Sequence, residues 1–427
     1  MSRRAVIVRG ARTPFVRAFN EFIRLDAIDL GVHAVRGLLD KTGLQWSELD
    51  SIVWGGVILP SGAPNVGREI ALDLGLPPSV EAMTVTRACA SGLQAVTLAV
   101  AAIERGEVDV VIAGGADSTS NAKLELPQSF VHKVAPVAMS GKSTAMDYFK
   151  LLTKISPTRD LVPKRPEIAE RSTGQVMGEA AEEMAGRNGV GREEQDMFAV
   201  ASHHRAAEAI ASGRFDDEVV PVTVDGKTVY SDTIVRGDTT VDKLSRLRPV
   251  FAKNGTLTAG NSSTLTDGAS AVLLMSEEKA KSLGYKPLAA FRSWSYVGVD
   301  PADQLLMGPA LAMPKALERA GMSLSDVSIV DMHEAFAAQV LSIIRMLESD
   351  AFAKERLGLA KRVGEIDRDT FNIHGGSVAL GHPFAATGAR MVTTMANELA
   401  ASGKETALLG ICAAGGLGAA AVMEAVA

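Results

Sequence analysis

Four residues in this chain of 427 combine a reactive side chain with a setting that favours chemistry: Cys89, His333, His382 and Cys412. The two cysteines are the only ones and lie near opposite ends of the chain, which excludes a disulfide framework and a zinc site built from several cysteines. Cys89 stands in Thr84-Val-Thr-Arg-Ala-Cys-Ala-Ser-Gly-Leu-Gln-Ala-Val, where a β-type run ends in small residues and a helix begins. A thiol there meets the positive end of a helix dipole, which favours thiolate and suits a nucleophile. Taken alone, a single cysteine among alanines is more often an inert core side chain. His382 lies in Asn372-Ile-His-Gly-Gly-Ser-Val-Ala-Leu-Gly-His-Pro-Phe-Ala-Ala-Thr-Gly-Ala-Arg, where Gly381 and Pro383 hold the imidazole in a fixed place and the glycines let backbone approach a ligand. A helix entry with a hydrogen-bonded histidine is the competing account of that run. Cys412 precedes Ala-Ala-Gly-Gly-Leu-Gly, a loop with free N–H groups beside which a thiol can move protons. Metal binding is the other use of Cys and His, but no His-x-x-x-His or Cys-x-x-Cys spacing is present.

The elements that must position these residues follow from hydrophobic patterning. Ala5–Val8, Ser51–Val57, Val108–Ala113, Ala269–Met275, Val327–Met332 and Ala407–Ile411 read as strands, and Ala27–Lys41, Gly92–Arg105, Glu193–Ser212, Pro309–Ala320 and Thr387–Ser402 as helices. The alternation predicts an α/β architecture with buried central strands, and places His333 and Cys412 just after strands, where functional residues of α/β proteins gather. The alternation also repeats. Leu39-Asp-Lys-Thr-Gly-Leu-Gln-Trp-Ser-Glu-Leu matches Leu317-Glu-Arg-Ala-Gly-Met-Ser-Leu-Ser-Asp-Val in helix end, glycine stop and following turn. Ser91-Gly92 with its helix and strand pairs in the same way with Thr387-Gly388, so two similar halves packed together are expected.

Composition narrows the class. With 44 basic and 50 acidic residues the net charge is −6, and 47% hydrophobic with 22% charged residues describe an ordinary globular protein without a nucleic-acid-binding balance. No apolar run reaches membrane-spanning length, and the run Ala5 to Val8 after Arg3 and Arg4 is too short for a signal core, so a cytoplasmic protein with reduced cysteines is expected. Residues 121–250 break the alternation and read as an insertion. Within it, residues 131–166 carry seven basic and two acidic side chains. There Tyr148, Leu151, Leu152 and Ile155 form an apolar stripe opposite Lys150 and Lys154, either a basic amphipathic helix for a partner, membrane surface or phosphorylated ligand, or a helix lying on its own domain.

At this point the chain resembles the thiolase family over essentially its whole length. The resemblance is carried in order by Arg9-Gly-Ala-Arg-Thr-Pro-Phe, the Cys89 segment, Gly114-Gly-Ala-Asp, Leu247-Arg-Pro, Thr258-Ala-Gly-Asn-Ser-Ser, Asp267-Gly-Ala, His333-Glu-Ala-Phe, Gly381-His-Pro and Cys412. It implies a thiolase-like fold: two duplicated βαβαβαββ halves in a five-layered α-β-α-β-α arrangement with an inserted loop domain. The halves would be residues 1–120 plus 251–277 and residues 278–427, with the loop domain at 121–250. The implied activity is 3-ketoacyl-CoA thiolysis through a Cys89 thioester. His382 would activate Cys89, and Cys412 would protonate the departing acetyl-CoA enolate and later deprotonate free CoA. His333, with an ordered water, would stabilise the enolate oxygen, and the N–H groups of Cys89 and Ala414 the tetrahedral oxyanion. Coenzyme A is implied as a substrate, with no tightly bound cofactor and no metal.

Met177, Arg236 and Ser263 match coenzyme A-binding positions of the family, although Val176 stands where the family often has histidine. His333 replaces a common asparagine and Cys412-Ala-Ala a common Cys-x-Gly, features that look like the thiolase subunits of fatty-acid β-oxidation complexes acting on longer chains. A homodimer or dimer of dimers, a hydratase/dehydrogenase α subunit as partner, and peripheral membrane contact through 131–166 are implied in turn. The alternatives are biosynthetic acetoacetyl-CoA formation, or service mainly as a scaffold subunit.

Overall fold

The six apolar runs expected to be strands all lie in one mixed sheet of the computed structural model, which describes residues 3–163 and 169–426. The first half runs Ala5–Arg12 (β1), Ala27–Thr42 (α1), Ser51–Gly55 (β2), Val66–Asp73 (α2), Glu81–Val85 (β3), Ser91–Glu104 (α3), Val110–Ser118 (β4) and, after a long excursion, Thr266–Ser276 (β5). Every residue of β4 and β5 is buried, because helices cover both faces of the sheet; such strands read as continuous apolar runs rather than alternating ones. β4 runs on through Gly114-Gly-Ala-Asp-Ser, past the expected end at Ala113, since these residues stay paired with Asp267 to Ala271 of β5.

The excursion falls into two parts. Ala122–Ala169 forms a compact unit of its own, with helices Gln128–Ala138 (α4) and Ala145–Leu152 (α5). Inside it the buried carboxylate of Asp160 accepts hydrogen bonds from Ser129, Lys133 and the Ser156 N–H, each at 2.7 Å. The apolar stripe expected on α5 is not covered: of its members only Leu151 is buried, while Tyr148 and Leu152 are exposed and Ile155 lies past the helix end. Lys164 and Arg165 of the basic segment lie outside the described residues. The second part includes Met177–Arg187 (α6) and Arg192–Ala211 (α7).

The second half repeats the first: Ala289–Gly298 (β6), Gly308–Ala320 (α8), Ile329–Met332 (β7), Ala337–Leu347 (α9), Ala385–Ser402 (α10), Thr406–Ala413 (β8) and Leu417–Ala425 (β9). Strand order across the sheet is β7-β8-β9-β6-β1-β5-β4-β2-β3. Each half thus sets its first strand at the centre and its parallel strands outward. Phe371, bridged in parallel to Val330, takes the place that β3 has in the first half. β1 and β6 join the halves through only Val6↔Ala290 and Ile7↔Ala289. The duplicated helix ends are visible in detail, since Gly43 and Gly321 both cap their helices in the left-handed region at φ 67°, where glycine is favoured.

Three apolar cores separate five layers. One lies between α1, α2 and the first half's strands, one between α8, α9 and the second half's strands, and the third holds α3 and α10 between the strands of the two halves. The central helices cross at glycines. A Cβ on Gly92 would stand 2.3 Å from the Ala385 carbonyl oxygen, and one on Gly388 would stand 2.5 Å from the Leu93 nitrogen. This close approach brings together the first turns of two helices from different halves.

Candidate active site

The turn that carries Cys89 joins β3 to α3. Ala88 adopts φ 45°, a left-handed conformation that costs a non-glycine residue strain, and Ser91 secures the turn by accepting from the Arg87 N–H at 2.7 Å and donating to the Ala88 carbonyl at 2.6 Å. His382 arrives from the other half, between Gly381 at φ 97° and α10. Its backbone N–H donates to the Thr264 carbonyl, and its Nδ1 lies 2.7 Å from the Thr387 hydroxyl in the first turn of α10. His333 follows β7; its N–H donates to the Gly410 carbonyl at 2.8 Å and its Nδ1 lies 3.0 Å from the Ser377 hydroxyl. Cys412, 1% exposed, is the penultimate residue of β8, and the Ala414 N–H just beyond that strand points at the Cys89 sulfur together with the N–H of Cys89 itself.

Residues from four separate segments therefore meet. The two imidazole rings lie 4.1 Å apart between centroids, and the ligand-capable atoms of Cys89, His333 and His382 fall within 4.8 Å of one another. Cys412 is near enough that a charge on Cys89 acts on its thiol.

Burial sets the resting charges. It is the main cause lowering His382 to about 3 and His333 well below its ordinary value, with the charge of His382 adding to the fall of His333 and Arg390 adding to both. Burial also pushes the Cys89 thiol up to about 12, against the two N–H groups that face it, and Asp117 adds to the rise. The thiolate expected from a helix start is thus not the resting form. Cys89 precedes the helix cap, and desolvation outweighs the helix dipole. The pair at rest is a neutral thiol beside a neutral imidazole. With an Nδ1–H donated to Thr387, the His382 Nε2 lone pair is free to accept the thiol proton.

A buried scaffold that sequence reasoning did not single out holds this geometry. Glu334, next to His333, accepts from Asn372 Nδ2 and Ser202 Oγ, each at 2.7 Å, and from the Val378 N–H at 3.1 Å. Asn372 also brackets Met332 with a donor and an acceptor, tying the end of β7 to the segment that carries Ser377. Asp117, at the end of β4, accepts from the N–H groups of Val57, Ile58 and Ala385, so a first-half carboxylate anchors the start of α10. Burial raises Asp117 to about 7, against those three bonds. Ser377 and Thr387 lie inside the glycine-rich run around His382, and a hydroxyl near each histidine was the available signal.

The three residues matched to coenzyme A-binding positions are more dispersed. Ser263 donates its N–H to the Ala335 carbonyl and adjoins Thr264, which holds the His382 backbone. Met177 begins α6 and packs on the core beneath α8 and α9, and the Arg236 N–H donates to His203 Nδ1. No hydrogen bond joins Met177 or Arg236 to the four central residues among the described residues.

Comparison with known proteins bears on family and fold. Residues 5–278 match the family described as "Thiolase, N-terminal domain", and residues 285–425 match "Thiolase, C-terminal domain". The chain is 45% identical over 425 residues to a 3-ketoacyl-CoA thiolase of Aliivibrio fischeri (strain MJ11), covering 99% of this chain and 95% of the relative. It is 44% identical over 424 residues to a 3-ketoacyl-CoA thiolase of Yersinia pestis (strain Pestoides F), covering 99% and 97%. Among solved structures it is similar to the acetyl-CoA acetyltransferase of Bacillus anthracis, with TM-score 0.83 and 32% identity over 100% of this chain and 99% of that one. It is also similar to human mitochondrial 3-ketoacyl-CoA thiolase in complex with CoA, with TM-score 0.83 and 30% identity over 99% and 98%.

Proposed function

The chain belongs to the thiolase family, and we propose that it cleaves 3-ketoacyl-CoA with coenzyme A to acetyl-CoA and a shortened acyl-CoA, through an acyl group held on Cys89. The observation that carries this reading is the convergence of Cys89, His382, His333 and Cys412 under the Ala414 N–H. Cys89 Sγ attacks the keto carbon while its proton passes to His382 Nε2, and the N–H groups of Cys89 and Ala414 hold the oxyanion. The carbon–carbon bond breaks, the acyl group stays on sulfur, and Cys412 protonates the enolate carbon of acetyl-CoA. His333, accepting from Ser377 at Nδ1, donates from Nε2 to the enolate oxygen. Cys412 then takes the proton of incoming CoA, whose sulfur attacks the thioester, and the Cys89 sulfur recovers its proton from His382. Ser263, Arg236 and Met177 belong to the coenzyme A site in this reading, with Arg236 toward the nucleotide phosphates and Ser263 toward the pantetheine. Coenzyme A enters as substrate and no tightly held cofactor is required.

The identity to 3-ketoacyl-CoA thiolases over the full chain favours degradation of medium or long chains, as in fatty-acid β-oxidation, over acetoacetyl-CoA synthesis. Steady-state thiolysis across 3-ketoacyl-CoA lengths tests this, and activity confined to acetoacetyl-CoA would overturn it. We place the chain in the cytoplasm; no helix of the described residues is long and apolar enough to cross a membrane.

A homodimer is part of the proposal. β3 is an edge of the sheet, none of its residues is buried and Met83 is exposed, as expected of an edge that a second copy covers. Sedimentation equilibrium should give a dimer, and Met83→Asp should shift it toward monomer. The unit Ala122–Ala169 supports a further contact, to a hydratase/dehydrogenase subunit or, failing that, a membrane surface. Ten of the 22 exposed large apolar side chains among the described residues fall within it.

A further inference from the structure

Cys89, His333 and His382 bring one sulfur and two ring nitrogens within 4.8 Å of one another. On each ring Nδ1 is engaged by a hydroxyl, Thr387 for His382 and Ser377 for His333, which leaves Nε2 as the free nitrogen. Both Nε2 atoms are buried and have no hydrogen-bond partner among the described residues. One thiol and two unengaged imidazole nitrogens suit a borderline-soft cation, whereas Mg²⁺ and Ca²⁺ seek oxygen.

We propose that Cys89, His333 and His382 form a three-ligand site for Zn²⁺, and that zinc bound there reversibly inhibits the protein by occupying its nucleophile. In tetrahedral zinc, with Zn–S about 2.3 Å and Zn–N about 2.0–2.1 Å, donor atoms stand about 3.3–3.6 Å apart. The most widely set pair of donors needs to close by up to about 1.2–1.5 Å. The Ser377 and Thr387 hydroxyls fix the ring orientations from the far side, as the outer partners of zinc-binding histidines do. Zinc replaces the Cys89 proton, and His333 moves its own proton from Nε2 to Nδ1, where Ser377 turns from donor to acceptor: the S–H bond breaks, one Zn–S and two Zn–N bonds form, one proton leaves to solvent, and no electron is transferred.

Binding itself rests only on the geometry of three side chains; its kinetic consequence rests on the thiolase reading. The test uses the full chain with ZnCl₂ and CoCl₂. Expected are one Co²⁺ per chain with a thiolate-to-cobalt charge-transfer band, and one proton released per Zn²⁺ by calorimetry in buffers of different ionisation enthalpy. Thiolysis should be lost and then restored by a chelator. Cys89→Ser should abolish the band, and His333→Ala and His382→Ala should each weaken zinc by about tenfold or more with unchanged circular dichroism. A Cys89→Ser chain that binds zinc as tightly as the parent, an absent band, or equal zinc affinity after acylation of Cys89 overturns the proposal. A chain that shows the band but cleaves no 3-ketoacyl-CoA refutes the thiolase reading and leaves the zinc site standing; an active thiolase that binds no zinc does the reverse.

Discussion

Cys89 and His382 form a neutral pair, and that has a measurable signature. His382, depressed to about 3, stays able to accept a proton throughout the working range, and Cys89, raised to about 12, keeps its proton. The pH profile of kcat/KM, which reports the free enzyme, should therefore be flat from about pH 5 to 9. An acid limb centred near 6.5 would show an imidazole in an ordinary aqueous setting. Cys412→Ala should lower kcat by about 10²–10⁴ while Cys89 still reacts with iodoacetamide; full thiolysis in that variant would remove the proton-transfer role. The four reactive residues were legible from residue type and position at strand and helix ends. Their charge states were not, because these follow from how completely other segments bury them. Thr387 and Ser377 were visible only as hydroxyls near histidines, since packing decides which ring each one meets.

The decisive element is the crossing of α3 and α10 at Gly92 and Gly388. A methyl at Gly92 cannot fit 2.3 Å from a carbonyl oxygen, so Gly92→Ala must push the helices apart and carry Cys89 away from His382. We expect a loss of about 1–3 kcal/mol in stability, read from denaturant unfolding, together with a fall in kcat. Gly62→Ala, where an added Cβ meets nothing within 4 Å, should change neither. If Gly92→Ala left kcat unchanged, the crossing would not be what aligns the pair. Most elements of both halves can be read from periodicity, but that reading leaves out α2, α9, β6 and β9. Leu417-Gly-Ala-Ala-Ala-Val-Met-Glu-Ala favours helix by its alanines, and becomes a strand because β8 and β6 pair with it on either side.

Across the whole molecule, long-range ion pairs and the separate unit Ala122–Ala169 make their own predictions. Glu398 is held down at about 2, first by its hydrogen bond from His374 and then, against burial, by Arg214. Its folded-state value lies below its ordinary 4.5, so the stability it contributes is present above pH 4.5 and lost as pH falls toward 2. The melting-temperature advantage of the parent over Glu398→Gln should shrink across that interval, and a constant advantage would remove the assignment. Charge reversal at Lys150 and Lys154 should lower recovery of a partner subunit on purification from the native host. An unchanged single-subunit profile with and without the reversal would remove the partner claim. The sequence by itself determined the α/β alternation, the duplicated glycine-capped helix ends and the four residues able to do the chemistry, because these depend on local periodicity and side-chain type. Only the tertiary structure decided that Cys89, His333, His382 and Cys412 meet at one place. Their local spacing offers no metal-ligand pattern, yet the fold sets a sulfur and two ring nitrogens from three of them within 4.8 Å of one another. The reason is physical: strand pairing and the glycine crossing join segments hundreds of residues apart, and no local pattern encodes the distance between them.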